Sequence, residues 1–101
     1  MPTEPLRRDE ALRILREHRA ELTAMHVASL SLFGSVARDE ARPDSDVDLL
    51  VTFSRPVGYF HVFAVQEQLE AVLDRPVDLI VEDGLRPWYR ERIMKEAISA
   101  A

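Results

Sequence analysis

Two short groups of residues suited to metal and phosphate chemistry lie near the middle of this chain. Gly34-Ser35 is followed, after ten residues, by Asp46-Val47-Asp48. Because side chains alternate between the faces of a strand, Asp46 and Asp48 point to one side, about 6–7 Å apart along the backbone. Two carboxylates so placed can bind divalent metal ions that activate phosphoryl groups. Gly34 has no side chain to block a phosphate, and the backbone N–H groups that follow can point at it. The spacing therefore predicts a nucleotide site.

An alternative is that both groups are ordinary turn residues, since Asp-x-Asp often begins a solvated strand and Gly-Ser occurs in many turns. The run Leu49-Leu50-Val51 argues against this alternative, because it is too apolar for an exposed strand and predicts a central one. Carboxylates at the start of a buried strand need a partner, and a bound cation is the natural one.

Hydrophobic periodicity predicts the elements that position these residues. Leu12, Leu15 and Leu22 share one face of a helix predicted over residues 5–22. Alternation and apolar runs predict strands over 27–33, 47–53 and 77–81, and the remaining helices are predicted over 36–41, 59–73 and 87–98. The order α-β-α-β-α-β-α predicts an α/β or α+β fold, in which helices flank a sheet.

Two pairs of aromatic residues stand at the starts of predicted helices. Phe60 and Phe63 are expected in the core. Trp88 and Tyr89 are expected to pack over the end of the sheet, with a protein interface as the alternative, because interfaces are enriched in aromatic residues.

Length and composition restrict the class of protein. The 101 residues predict one domain over 1–101, and the absence of cysteine excludes disulfides and Cys-based zinc sites. A net charge of −5 argues against general binding to nucleic-acid backbones. No segment approaches the length of a membrane span, and the first residues lack an apolar signal segment, so we expect a cytoplasmic protein without membrane contact.

The phrase G-S-V-A-R…S-D-V-D-L-L-V within residues 34–51 resembles the minimal nucleotidyltransferase (MNT) family of the polymerase-beta-like nucleotidyltransferase superfamily. The resemblance extends over about residues 10–98. It implies the nucleotidyltransferase fold, with a small mixed sheet, and a third carboxylate on a later strand. Asp78 lies in the expected setting, a short apolar strand. From the pattern alone Asp78 would be an unusual buried charge; the resemblance implies a metal ligand.

Arg38 lies one turn beyond Ser35 and has two possible roles. Its guanidinium could bind a triphosphate, or it could form a surface ion pair with Asp39 or Glu40. The resemblance adds weight to the phosphate role, because Arg38 matches the family phrase G-S-x-A-R. Many members of the family carry Gly where this chain has Asp39.

The resemblance implies a magnesium-dependent transfer of AMP from ATP to a hydroxyl group. Gly34 and Ser35, with Arg38, would bind the nucleotide phosphates. Asp46, Asp48 and Asp78 would be the catalytic residues and would hold two Mg²⁺ ions. Pyrophosphate would leave.

Many members of the family are antitoxins paired with HEPN-domain ribonuclease toxins. The chain ends soon after Asp78, so we expect the acceptor to come from another protein. The resemblance implies a HEPN-type toxin with a tyrosine hydroxyl as the acceptor, which would make this chain an antitoxin. Two alternatives stay open: an antitoxin of the same fold that acts by contact alone, and a small-molecule nucleotidyltransferase of the aminoglycoside-modifying type.

Overall fold

The computed structural model describes residues 4–100. Within this range the chain forms helices and strands in the order α1 (Arg8–Glu17), α2 (Arg19–Ala24), β1 (Val27–Phe33), α3 (Gly34–Ala37), β2 (Val47–Phe53), α4 (Tyr59–Leu73), β3 (Val77–Val81), a 3₁₀ turn (Glu82–Gly84), α5 (Pro87–Glu96) and β4 (Ile98–Ser99). The predicted domain 1–101 includes Met1–Thr3 and Ala101, which lie outside the described residues, and its extent stays a prediction. No helix within residues 4–100 has the length and apolar content that crossing a membrane requires.

The strands form one mixed sheet in the order β3-β2-β1-β4. β1 pairs antiparallel with β2 and with β4, whereas β2 and β3 are parallel. The small mixed sheet flanked by helices is therefore confirmed. β2 lies inside the sheet, as the apolar run Leu49-Leu50-Val51 predicted, and all three side chains are buried.

Each face of the sheet is covered by different helices. The larger core lies on the face that carries Leu30, Leu32 and Leu49, and it includes buried residues of α1, α2 and α4. A smaller cluster on the other face joins Phe33 and Leu50 to Ile93 of α5. Residues alternate along β2, so Asp48 lies on the same face as Leu50, the face that α5 covers.

The predicted helix over 5–22 is wrong as a single element. The backbone leaves helical geometry at His18 (φ −100°, ψ 15°). The N–H of His18 donates to the carbonyls of both Ile14 and Leu15. The change of direction lets α2 pack against β1 and bury Leu22. The buried face predicted for Leu12, Leu15 and Leu22 is confirmed.

Two further helix boundaries differ from the prediction. α3 begins at Gly34 and ends at Ala37 rather than spanning 36–41, because the chain turns at Asp39, whose φ of +58° is left-handed. The last helix ends at Glu96, and the residues after it form β4, which the sequence analysis missed. Ile98 pairs with Leu32 of β1 in this short strand.

The aromatic pairs are more exposed than expected. Phe60 is 88% exposed and Phe63 is 52% exposed, so their predicted place in the core is wrong. Trp88 is 60% exposed, and its ring meets that of Tyr89 edge to face with centroids 5.6 Å apart. These side chains lie on the surface of the helices that carry them.

Candidate functional site

Sheet topology brings the two groups of residues together at one end of the sheet. β1 is antiparallel to β2, so the last residue of β1, Phe33, pairs with Asp48 near the start of β2. β3 runs parallel to β2, and Asp78 is the register partner of Asp48. Directly paired residues of neighbouring strands carry their side chains on the same face. The Gly34 turn therefore lies on one side of Asp48 and Asp78 on the other.

Gly34 is required by its backbone and by its neighbour. Its φ of +75° lies in the left-handed region, which residues with a Cβ rarely adopt. A Cβ at this position would lie 2.9 Å from Cγ of Asp48 and would overlap its carboxylate oxygen Oδ2. The Asp48 carboxylate thus lies directly over the turn that continues into Ser35, the half-buried second residue of α3.

The three predicted carboxylates differ in exposure. Asp46 and Asp78 are exposed, whereas Asp48 is half-buried. Asp78 is therefore not the buried charge that its apolar strand suggested: β3 is at the edge of the sheet, and the side chain of Asp78 is open to solvent while that of Val77 before it is buried. Burial, together with the negative charges of Asp78 and Asp46, raises the pKa of Asp48 to about 6, against an opposing effect of Arg38. The structure thus brings Asp46, Asp48 and Asp78 within electrostatic reach of one another.

Arg38 makes one of the two predicted kinds of contact. Its Nε donates to Glu40 at 3.1 Å, which is the ion pair considered from the sequence. Asp39 instead accepts the backbone N–H of Arg8 at 2.7 Å and tolerates the left-handed φ that a Gly would adopt freely. The charge of Arg38 also lowers the pKa of Asp48, against burial and the neighbouring carboxylates.

Glu96 is a member of the site that the sequence analysis missed. Its Oε1 accepts the backbone N–H of Gly34 at 3.0 Å, and its Oε2 accepts Nη1 of Arg38 at 2.9 Å. The hydrogen bond from Arg38 to Glu96, together with the one to Glu40, raises the pKa of Arg38. Glu96 reaches the turn because β4, which begins two residues later, pairs with the end of β1. No local signal marks Glu96, since its position on the last helix resembles that of a solvated residue.

A cleft of about 230 Å³ opens beside the turn. It is lined by side chains from the end of β1, from the residue that follows α3 and from α5, namely Phe33, Arg38, Tyr89, Arg92, Ile93 and Glu96. Arginine side chains and an aromatic ring are suited to phosphate and to a planar base. Tyr89 joins this cleft to the exposed Trp88.

The residues present are suited to Mg²⁺. Among residues 4–100, no group of three or more His, Cys, Asp or Glu side chains could hold a metal ion by itself. Mg²⁺ does not require such a cage, because it is commonly bound by one or two carboxylates together with substrate phosphates and water. The raised pKa of Asp48 reflects burial and crowded negative charge, which a cation would relieve. The assignment of Asp46, Asp48 and Asp78 as metal ligands stays a prediction.

Comparison with known proteins gives consistent matches over most of the chain. The family model described as "Nucleotidyltransferase domain" matches residues 12–100. The protein adenylyltransferase MntA of Thermococcus cleftensis is 34% identical over 91 residues, which cover 89% of this chain and 92% of that relative. A solved structure of a minimal nucleotidyltransferase is 43% identical, with a TM-score of 0.76 over 88% of this chain and 92% of that one.

A third match concerns the fold alone. A chain of the solved structure of a tri-AMPylated Shewanella oneidensis HEPN toxin in complex with an MNT antitoxin gives a TM-score of 0.65. The match covers 89% of this chain and 71% of that chain, at 15% identity.

Proposed function

This chain belongs to the nucleotidyltransferase domain family, and from that premise we propose that it transfers AMP from ATP to a hydroxyl group of a partner protein. The partner is a HEPN-type toxin, the acceptor is a tyrosine side chain, and the modification makes this chain an antitoxin. A 34% identical relative is a protein adenylyltransferase, and a protein of the same fold stands in complex with an AMPylated HEPN toxin.

One observation carries the proposal: the Asp48 carboxylate lies against the Gly34 turn on one side and pairs in register with Asp78 on the other. Phosphate-binding groups and carboxylates therefore form one site rather than two. Adenylyl transfer needs this arrangement, because the α-phosphorus has to lie between the groups that hold the triphosphate and the acceptor that attacks it.

The nucleotide phosphates bind to the Gly34 turn. The Gly34 N–H can bind an anion, since it already donates to a carboxylate in this structure. Arg38 reaches the same carboxylate, so its guanidinium and the Gly34 N–H can share one phosphate group. The Ser35 hydroxyl, one residue further along α3, adds a donor for the β- and γ-phosphates.

Asp46, Asp48 and Asp78 would hold two Mg²⁺ ions, which supply positive charge to the triphosphate and lower the pKa of the acceptor hydroxyl. Asp48, between the turn and β3, faces the nucleotide. Asp78, exposed at the edge of the sheet, faces the acceptor. This division gives the carboxylates different roles: Asp48 acts mainly in binding and Asp78 mainly in turnover.

The transfer step exchanges one phosphorus–oxygen bond for another. The tyrosine oxygen attacks the α-phosphorus of ATP, and the bond from that phosphorus to the bridging oxygen of the β-phosphate breaks. Pyrophosphate leaves with the electron pair. The phenolic proton passes to the exposed Asp78 carboxylate, which releases it to water. The products are a tyrosine-AMP phosphodiester and pyrophosphate.

The surface next to the site fits a protein acceptor. Trp88 is 60% exposed at the start of α5, and Tyr89 beside it lines the cleft that also contains Arg38. Exposed aromatic side chains of this kind are common anchors of protein interfaces. A partner that contacts Trp88 would therefore lie close to the carboxylates. Because the donor is ATP, the proposed reaction takes place in the cytoplasm.

The test is transfer of labelled AMP to the purified HEPN-type partner, followed by mass measurement of the intact partner. We expect a mass increase of one or more AMP groups that requires Mg²⁺ and is abolished by EDTA. The increase should map to a tyrosine, and the toxicity of the partner should fall in step. A partner that is neutralised without any mass increase would show that the chain acts by contact alone. Transfer to a small hydroxyl compound and not to the partner would favour the small-molecule class.

A further inference from the structure

Glu96 contacts the same two groups that the proposed function assigns to the triphosphate. Its two oxygens accept from the Gly34 N–H at 3.0 Å and from Nη1 of Arg38 at 2.9 Å. A carboxylate that bridges a backbone N–H and a guanidinium resembles a phosphate oxygen pair in charge and geometry. Glu96 and a phosphate group cannot occupy this position together.

The other surroundings of Glu96 do not favour a negative charge. The negative charge of Glu96 is among those that raise the pKa of Asp48, so the two carboxylates repel each other. Asp48 in turn lies over Gly34, so the turn has a carboxylate on each side. The hydrogen bonds to Gly34 and Arg38 are the contacts that offset this repulsion.

We propose that Glu96 is a built-in competitor for the nucleotide, which must leave Gly34 and Arg38 before the triphosphate can bind them. This inference rests on the proposed function, because it takes the Gly34 turn as the phosphate site. Glu96 thereby sets the affinity for ATP.

The release of Glu96 requires little structural change. Its side chain is 34% exposed, so solvent reaches it directly. Both contacts are made by the side-chain carboxylate, and Glu96 is the last residue of α5. Rotation about the side-chain bonds can move the carboxylate into water while the backbone of α5 and the pairing of β4 stay in place.

The test measures binding of Mg-ATP by calorimetric titration to the wild type, Glu96→Gln and Glu96→Asp. Glu96→Gln removes the negative charge. When the Gln amide oxygen accepts the Gly34 N–H, its amide nitrogen faces the guanidinium of Arg38, and two donors cannot form a hydrogen bond with each other. We expect about tenfold tighter binding, because charge-assisted hydrogen bonds at a partly exposed site are worth roughly this ratio. Glu96→Asp keeps the charge but is one methylene shorter, so it should bind Mg-ATP more tightly than the wild type and less tightly than Glu96→Gln.

Two controls separate displacement from other effects. Glu91→Gln changes the net charge equally at an exposed position on the same helix, and it should leave the affinity unchanged. Mg-tripolyphosphate should show the same gain in Glu96→Gln as Mg-ATP, whereas adenosine should show none, since Glu96 competes with phosphate rather than with the base. A circular dichroism spectrum and a thermal melt confirm that each variant is folded.

The outcomes distinguish this inference from the proposed function. Equal or weaker binding of Mg-ATP by a folded Glu96→Gln would overturn the inference and would make Glu96 a residue that positions Arg38. A gain of equal size in Glu91→Gln would also overturn it, because the effect would then be general electrostatics. Failure of the folded wild type and of both Glu96 variants to bind Mg-ATP would instead overturn the proposed function.

Discussion

Replacing Asp48 by Asn should make the protein more stable at neutral pH. Burial and the charges of Asp78 and Asp46 raise the pKa of Asp48 from 3.8 to about 6. At about 1.36 kcal/mol per pH unit, this change corresponds to roughly 3 kcal/mol. Because Asp48 is only half-buried, solvent screening reduces the expected effect to about 1–2 kcal/mol. Asn has the same shape as Asp and carries no charge, so it should regain this free energy.

The stability difference between Asp48→Asn and the wild type should depend on pH. The folded state binds the Asp48 proton more tightly than the unfolded chain does, so between pH 3.8 and about 6 the folded state carries more protons. Stability of the wild type therefore falls as pH rises through this window. Below pH 3.8 Asp48 is protonated in both states, and wild type and Asp48→Asn should be nearly equal in stability. Above about pH 6 the variant should show its full advantage.

Urea denaturation at several pH values between 4 and 7.5 measures this difference. Titrating groups that do not interact with Asp48 contribute equally to both proteins and cancel when the two curves are subtracted. At neutral pH the melting temperature of the variant should exceed that of the wild type by roughly 4–8 °C per kcal/mol. Asp44→Asn, an equal change of charge in the exposed loop before β2, serves as the control. A variant that is no more stable than the wild type at pH 7.5 would refute a repulsive environment around Asp48.

Three other predictions follow from the site. Gly34→Ala should lower the free energy of unfolding by at least about 1–3 kcal/mol and abolish Mg-ATP binding, because it combines a left-handed φ with overlap of the Asp48 carboxylate. Thermal melts and titrations measure both effects. Gly84→Ala is the control and should be close to neutral, because an added Cβ there meets nothing within 4 Å. Asp78→Asn should bind Mg-ATP within about tenfold of the wild type but lose AMP transfer in a single-turnover assay, and normal transfer would remove Asp78 from the reaction. Trp88→Ala should weaken binding of the HEPN-type partner by about tenfold or more in a titration without changing Mg-ATP affinity, because an exposed aromatic anchor contributes about 1–2 kcal/mol or more to binding. Unchanged affinity for the partner would place the interface elsewhere.

Local patterns in the sequence predicted the three long strands and the central place of β2. Apolar runs and alternation are local signals, and the bounds of β1, β2 and β3 agree with the structure. The same holds for α4, whose bounds were predicted as 59–73. The closeness of Gly34 to Asp48 was also accessible, because an antiparallel β1–β2 pair returns the chain to the turn that it left, and Phe33 next to that turn pairs with Asp48.

Contacts between residues distant in sequence were not accessible. Glu96 lies 62 residues from Gly34, and it reaches the turn only because β4 pairs with β1. A two-residue strand has too few residues to show alternation, so neither β4 nor its consequence could be predicted. The prediction that Phe60 lies in the core used hydrophobic character alone. Hydrophobic character indicates a tendency to be buried, but the exposure of a side chain depends on which face of the helix meets the sheet.

The arrangement of charge around Asp48 also indicates the side from which the acceptor approaches. Gly34, Arg38 and Glu96 fill the space on the β1 side of the carboxylate. On the other side lies Asp78, exposed on the strand at the edge of the sheet. An attacking hydroxyl has to approach the α-phosphorus opposite the departing pyrophosphate, which would lie over the Gly34 turn. In the proposed reaction the acceptor would therefore approach over β3, where a protein surface has access to the site. Pro76→Trp, at the exposed position directly before β3, should accordingly lower AMP transfer to the partner, measured by the mass of the intact partner, while leaving Mg-ATP binding in a titration intact.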